Sequence, residues 1–490
     1  MGRVNPTGWG ALLLLLGSCA PALAAENALT CFAPGQTPQS QIAACTTALG
    51  AGLNADTRAL VLLARAEAYA AAGDRAEAHH DFDAVLRLTP NHPAALLGRA
   101  RINDADGKAK EAEADYTAVI ALQPAPGTDI LGEAHYRRGA LRLAGGAATE
   151  AADDLLQAGN LLPKDAAVRK LLAQARMRGN DPRAAVAVLN GALGLTPNDI
   201  DLLRMRGVAY AQIRNFGPAI NDFSAVLTAA PEDQVSLEGR GVAALHNGIY
   251  GRAVADFSRL AELRPEDTGV IFLRGNAYLQ DSRLDEAVQD YTTVLKAHPN
   301  DEEALFGRAT ARQFKGDYTN AEADLGAILA KSPAAAQALA RRGNVRFMRG
   351  AFADARADFT QALTLPDAPA DLLLWQFIAG ARNGEANALP ILIAGLPGRD
   401  PESWPVTIAR YFLGKVSGDE LTAAARNSPG RLCEAYFFLG QSALIQHEPA
   451  EATKLFTAAR TTGMTRYTEF VGAGAELARL KAAPAAANPP

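Results

Sequence analysis

Arg206-Gly207-Val208-Ala209-Tyr210, with Ala219, Phe223 and Pro231 behind it, recurs after 34 residues as Arg240-Gly241, Ala253, Phe257 and Pro265. It recurs once more as Arg274-Gly275, Tyr278, Ala287, Tyr291 and Pro299. A chain that repeats itself at this period cannot build one closed core. Each unit is a small supersecondary element that buries its apolar face against the next one.

The period extends over nine units from residue 59 to residue 367. The eighth position of each unit is Gly or Ala, from Ala66 and Ala100 to Gly343, and the twentieth is always Ala, from Ala78 to Ala355. Small residues in this phase mark where two helices of one unit cross closely. The twenty-fourth position is large (Phe82, Tyr116, Leu155, Leu189, Phe223, Phe257, Tyr291, Leu325, Phe359) and is expected to fill the space toward the next unit. Proline closes the units because it biases the residue before it out of the helical region. A five-residue insertion around Gln123-Pro124-Ala125-Pro126-Gly127 lengthens one loop between units two and three without marking a domain boundary.

A second regularity concerns charge. The seventh position is Arg and the twenty-third is Asp in every unit but the fourth, where Leu172 and Val188 replace both. Loss of both partners together predicts that Arg and Asp pair across the two helices of one unit. A planar guanidinium can meet a carboxylate with two parallel hydrogen bonds.

These residues resemble the tetratricopeptide repeat (TPR) superfamily, specifically the subclass whose repeats carry R-G and D-F. The resemblance implies an all-α fold: a right-handed TPR superhelix, or α-solenoid, of about nine contiguous repeats. Gly440, Ala452, Phe456 and Ala459 fall in phase as a tenth repeat, followed by a capping helix. In TPR superhelices the first helix of each repeat, helix A, lines a concave groove. That implies groove positions for Leu60, Leu63, Leu97, Tyr136 and Leu143 in the early repeats. In the later ones it implies Arg204, His246, Phe272, Asn276, Phe306, Phe314, Asn344 and Phe347, with the rings receiving apolar side chains and the amides bonding a peptide backbone. The C-terminal part, from Trp404-Pro405 through Tyr411-Phe412-Leu413-Gly414 and Cys433-Glu434-Ala435-Tyr436-Phe437-Phe438-Leu439-Gly440-Gln441 to Glu469 and Glu476-Leu477, is similar to bacterial envelope TPR lipoproteins of the new-lipoprotein-I type. This implies an envelope adaptor that brings peptidoglycan hydrolases or proteases together.

The N-terminus has the pattern of a targeting segment, with Arg3 before the short apolar run Ala11 to Leu16. Two processing readings stay open. Ala22-Leu23-Ala24 is an A-x-A site for a soluble exported protein, the favoured reading, whereas Leu16-Gly17-Ser18-Cys19 resembles a lipobox in which Cys19 would carry a lipid anchor at the outer membrane. Export implies an oxidising compartment, so Cys31 and Cys45 are expected to be bonded and Cys433 to be a buried small residue. Closing that loop would stabilise by roughly 3 kcal/mol on a chain-entropy model.

The expected organisation is therefore a signal peptide (1–24), a disulfide-stapled N-terminal cap (25–58), nine repeats (59–367), an irregular helical connector (368–427), a C-terminal repeat with its capping helix (428–482) and a disordered tail (483–490). The formal net charge of −5 argues against nucleic acid as a partner. No phosphate-binding loop, H-E-x-x-H or C-x-x-C motif is present, so neither catalysis, nor a metal, nor a cofactor is expected. The expected function is a non-catalytic, periplasmic scaffold that binds envelope proteins through the groove, touching the membrane only if Cys19 is acylated. An accessory subunit of an envelope enzyme and a carbohydrate-binding envelope protein are the alternatives.

Overall fold

The computed structural model describes residues 29–482 apart from 367, 370, 386 and 387; the expected signal peptide, Cys19 and the tail from 483 lie outside the described residues. Each repeat becomes two antiparallel helices, A and B, as in Ala55–Ala72 with Arg75–Leu88 and Thr268–Gln280 with Leu284–Ala297. No strand occurs among the described residues. Helix A starts where an aspartate can cap it: Asp165, Asp199, Asp233, Asp267 and Asp301 each accept backbone N–H groups of the first turn, a contribution of about 1 kcal/mol each. Helix B ends two residues before its proline, for example at Leu263 before Arg264 and Pro265. The turn between A and B needs one residue with a left-handed backbone. Glycine supplies it at Gly73, Gly316 and Gly350, while Asn180, Arg214, Ser282 and His447 adopt it without that freedom.

The chain divides into two units, one ending at Pro231 and one starting at Glu232. In the first, the helix Pro38–Leu49 packs on helix A of repeat one and covers its open end. Cys31 and Cys45 are disulfide-bonded and fully buried against Ala48, Val61 and Ala64, so the bond ties the preceding chain to this cap. Cys433 is free and buried, and burial pushes its thiol up to about 11.

Position twenty-four packs within its own repeat as well as toward the next one. A Cβ at Gly207 would lie 2.8 Å from the Phe223 ring, one at Gly241 2.8 Å from Phe257, and one at Gly343 2.5 Å from Phe359. Toward the following repeat, a Cβ at Gly98 would sit 2.3 Å from Phe82 and one at Gly307 2.6 Å from Tyr291. The ring is a wedge between two backbones that only small residues let approach.

The Arg–Asp pairs form in all eight repeats that carry them. Arg65–Asp81, Arg99–Asp115, Arg138–Asp154, Arg206–Asp222, Arg240–Asp256, Arg274–Asp290, Arg308–Asp324 and Arg342–Asp358 are each bidentate, Nε to Oδ2 and Nη2 to Oδ1, at 2.7–3.0 Å. The aspartates are 1–7% exposed. Several guanidiniums also reach back with Nη1: Arg99 to Asp83, Arg138 to Thr117, Arg206 to Asn190 and Arg308 to Thr292, all on the preceding helix B. Arg65, with no earlier repeat, finds Thr46 of the cap helix instead.

In the second unit, repeats six to nine lead into Leu372–Arg382, then Leu389–Gly395, Trp404–Phe412 and Gly418–Ala425. The tenth repeat is Pro429–Ile445 with Pro449–Thr461, and Thr468–Ala482 is the final helix. Residues 372–380 are buried without interruption, the pattern of a helix covered on all sides. Trp375 at its middle meets Phe347 (5.3 Å between centroids), Phe437 (5.1 Å) and Phe438 (6.0 Å). This helix joins the cores of repeats nine and ten. The final helix is latched by Glu476, which accepts from Arg382 Nη1 (2.8 Å), Gln441 Nε2 (3.1 Å) and Arg479.

Two predictions arise from buried charge. Arg274→Leu leaves Asp290 buried without its counterion and should cost about 3 kcal/mol. Adding Asp290→Val, which recreates the Leu–Val solution of repeat four, should recover most of that loss in a denaturant melt; additive losses would refute the pairing. The second concerns Glu469, which burial, followed by the neighbouring Glu434 and Asp371 carboxyls, pushes up from 4.5 to about 8. Arg431 beside Glu434 and Arg399 beside Asp371 are the cations nearby. A raised carboxyl stabilises the fold fully below its unfolded value, and that stability is lost as pH rises through the folded value. The melting temperature should therefore fall by a few degrees between about pH 5 and pH 9. Glu469→Gln should flatten this dependence, and an unchanged slope would contradict the assignment.

Candidate functional site

Helices A of repeats seven, eight and nine are Thr268–Gln280, Glu302–Lys315 and Ala336–Arg349. Side chains from all three line a cleft of about 580 Å³, among them Phe272, Asn276, Gln280, Glu303, Phe306 and Arg341. Phe272 packs edge-on to Tyr291, with 5.9 Å between centroids. The Tyr291 hydroxyl donates to Asn276 Oδ1 at 2.7 Å, and burial pushes that hydroxyl well above its usual range. Asn276 thus has one lone pair of its carbonyl engaged inside the protein, which orients the amide with its NH2 available to a ligand.

Arg341 is the residue that the repeat pattern did not single out. Its guanidinium stacks over Phe306 at 4.9 Å, its Nη1 donates to Gln313 Oε1 at 2.9 Å, and its Nε is buried without a partner. Among the described residues it makes no ion pair, and burial alone pushes its pKa down to about 10. The signal available in the sequence was an arginine at position six, where repeats seven and eight have Leu273 and Gly307.

The eight expected groove residues separate into groups. Phe272, Asn276 and Phe306 come together in this cleft. Phe314 lines a second cleft, of about 620 Å³, between helices A of repeats eight and nine and the final helix. Phe347 is a correction: it is 1% exposed and packs edge-on against Phe352 and Trp375. The helix Leu372–Arg382 covers the surface that would otherwise be groove there. Asn344 lines neither cleft, and its Oδ1 is buried without a hydrogen-bond partner. His246 is exposed at the end of its helix, outside both clefts. Arg204 lies in the first unit, where it pairs with Asp201 at 2.9 Å.

No group of His, Cys, Asp or Glu among the described residues is arranged to hold a metal ion. No described helix is long and apolar enough to cross a membrane.

No curated protein matches the sequence. Among solved structures, the chain is similar to a tetratricopeptide repeat protein from Parabacteroides merdae ATCC 43184, at 20% identity and TM-score 0.37, over 51% of this chain and 98% of that one. It is similar to MamA from Desulfovibrio magneticus RS-1 at 19% identity and TM-score 0.33, over 35% of this chain and 96% of the other. It is also similar to YrrB, described as a TPR protein with an unusual peptide-binding site, at 17% identity and TM-score 0.36, over 39% and 95%. The tetratricopeptide repeat family model matches residues 63–127, 170–231, 204–268, 272–312 and 307–371. These segments together span more than half of the sequence, and the chain belongs to the tetratricopeptide repeat family.

Proposed function

We propose that this chain is a non-catalytic scaffold of the periplasm that holds partner proteins by an extended peptide segment in the cleft of repeats seven to nine. Tetratricopeptide repeat proteins are generally scaffolds for protein–protein interaction, which makes a protein the expected occupant. The observation that carries the reading is the Phe272–Phe306 pair. Two half-buried rings on successive helices A share one cleft with the Asn276 amide and the Arg341 guanidinium. Such a site buries one or two apolar side chains of a peptide and fixes its backbone through the NH2 of Asn276. Export is supported by Arg3, the apolar run from Ala11 to Leu16 and the A-x-A tripeptide ending at Ala24. The Cys31–Cys45 bond suits an oxidising compartment. Partners in the cell envelope, including peptidoglycan hydrolases or proteases, are what the resemblance of the C-terminal part to envelope TPR lipoproteins implies.

The test combines capture and titration. Partners are recovered by crosslinking in envelope extract, identified by mass spectrometry, and titrated against the parent and Phe272→Ala/Phe306→Ala. Affinity should fall by more than about tenfold while the melting temperature drops by only a few degrees, because both rings are partly exposed. A collapse of the fold would make the rings core. Unchanged binding with an intact fold would move the docking surface elsewhere.

A further inference from the structure

The second cleft has a composition unlike the rest of this acidic chain. Five cationic side chains line it, Lys315, Arg349, Arg460, Arg466 and Arg479, and no Asp or Glu does. Three of the five have carboxylates behind them: Lys315 pairs with Asp285, Arg349 with Glu322 and Arg479 with Glu476. Arg460 and Arg466 are held differently. Arg460 lies over the Phe470 ring at 3.8 Å and donates to the Phe470 carbonyl at 3.3 Å. Arg466 donates to Gln280 Oε1 at 2.5 Å and to the Tyr250 hydroxyl at 3.2 Å. Neither makes an ion pair among the described residues, and both donate to neutral acceptors. Neutral acceptors fix the geometry of a guanidinium without cancelling its charge, and a concave wall concentrates the resulting field.

We propose that this cleft is an acidic-peptide subsite, binding Asp or Glu side chains of the same partner segment whose apolar residues occupy the first cleft. The proposal deepens the docking reading and rests on it for the identity of the occupant as a protein. Gln280 connects the two sites, since it lines the first cleft and accepts the hydrogen bond of Arg466 from the second. The first cleft already carries Glu302 and Glu303, which disfavour acidic residues there and assign them to the second. Arg460, Arg466 and Arg479 belong to the C-terminal segment, whereas Lys315 and Arg349 belong to repeats eight and nine. The subsite is therefore complete only when the final helix is seated. Its specificity comes from two parts of the chain that the repeat pattern does not link.

The probe is a fluorescein-labelled octaglutamate peptide, followed by anisotropy at several salt concentrations. The parent should bind it with an affinity that falls as salt rises, and should not bind octalysine. Arg349→Glu/Arg466→Glu should weaken binding by about tenfold or more, while Arg58→Glu/Arg87→Glu, which changes the net charge equally at exposed positions on the helices Ala55–Ala72 and Arg75–Leu88, should leave it within about twofold. Lys315→Gln/Arg349→Gln alters only two side chains at the rim and supplies a second reading if the reversal variant fails to fold; it should weaken binding by about threefold. Phe272→Ala/Phe306→Ala should leave octaglutamate binding intact, so failure of the aromatic cleft and failure of this subsite are distinguishable. No binding to the parent would overturn the proposal. So would equal weakening by both charge reversals, or full displacement by inorganic phosphate, which would make the cleft a small-anion site.

Discussion

A guanidinium on helix A and a carboxylate on helix B, sixteen residues apart in the chain, set the register of eight of the nine contiguous repeats. The two parallel hydrogen bonds fix the rotation of one helix about the other, because the planar groups match in only one orientation. A buried pair of this kind adds little net stability over an apolar replacement, and repeat four folds with Leu172 and Val188 in its place. What the pair supplies is a single geometry, and the third N–H of Arg99, Arg138, Arg206 and Arg308 carries that geometry to the helix before it.

The geometry of the two clefts depends on this frame. Phe272, Phe306 and Arg341 are contributed by three successive helices A. Their mutual positions follow from the Arg–Asp register within each repeat and from the wedge of Tyr291 against Gly275 and Gly307 between repeats. Tyr291 also supplies the hydroxyl that orients Asn276. One ring thus sets the helix spacing and prepares the cleft. The buried helix Leu372–Arg382 does the same for the C-terminal end: Trp375 packs repeat nine against repeat ten, and Arg382 holds Glu476 of the final helix.

The fold was legible because its determinants are periodic. Small residues at positions eight and twenty, the Arg–Asp correlation and the closing prolines each repeat nine times or nearly so, and repeat four gives a built-in control. The candidate site was less legible because the residues that shape the clefts depart from the repeat. Phe347 satisfied the groove spacing yet became core, since Leu372–Arg382 lies outside the period and nothing at position twelve announces that it will be covered. Asn276 faced the right way, but the hydroxyl of Tyr291 reached its carbonyl first. Arg341 stood beside the periodic Arg342 and was hidden by it. Among the described residues, second arginines reach the pair aspartates as Arg142 on Asp154, Arg312 on Asp324 and Arg346 on Asp358, which is too few to make a period.

The central claim is that partners dock along helices A of repeats seven to nine. A photo-crosslinking amino acid at Gln280, between the two clefts, tests it most directly, with Gln289 on the exposed side of helix B of the same repeat as the control. The account predicts that a partner crosslinks from position 280 and not from 289, with the attachment mapping to an acidic stretch of the partner. Equal crosslinking from both positions, or crosslinking from 289 alone, would contradict it.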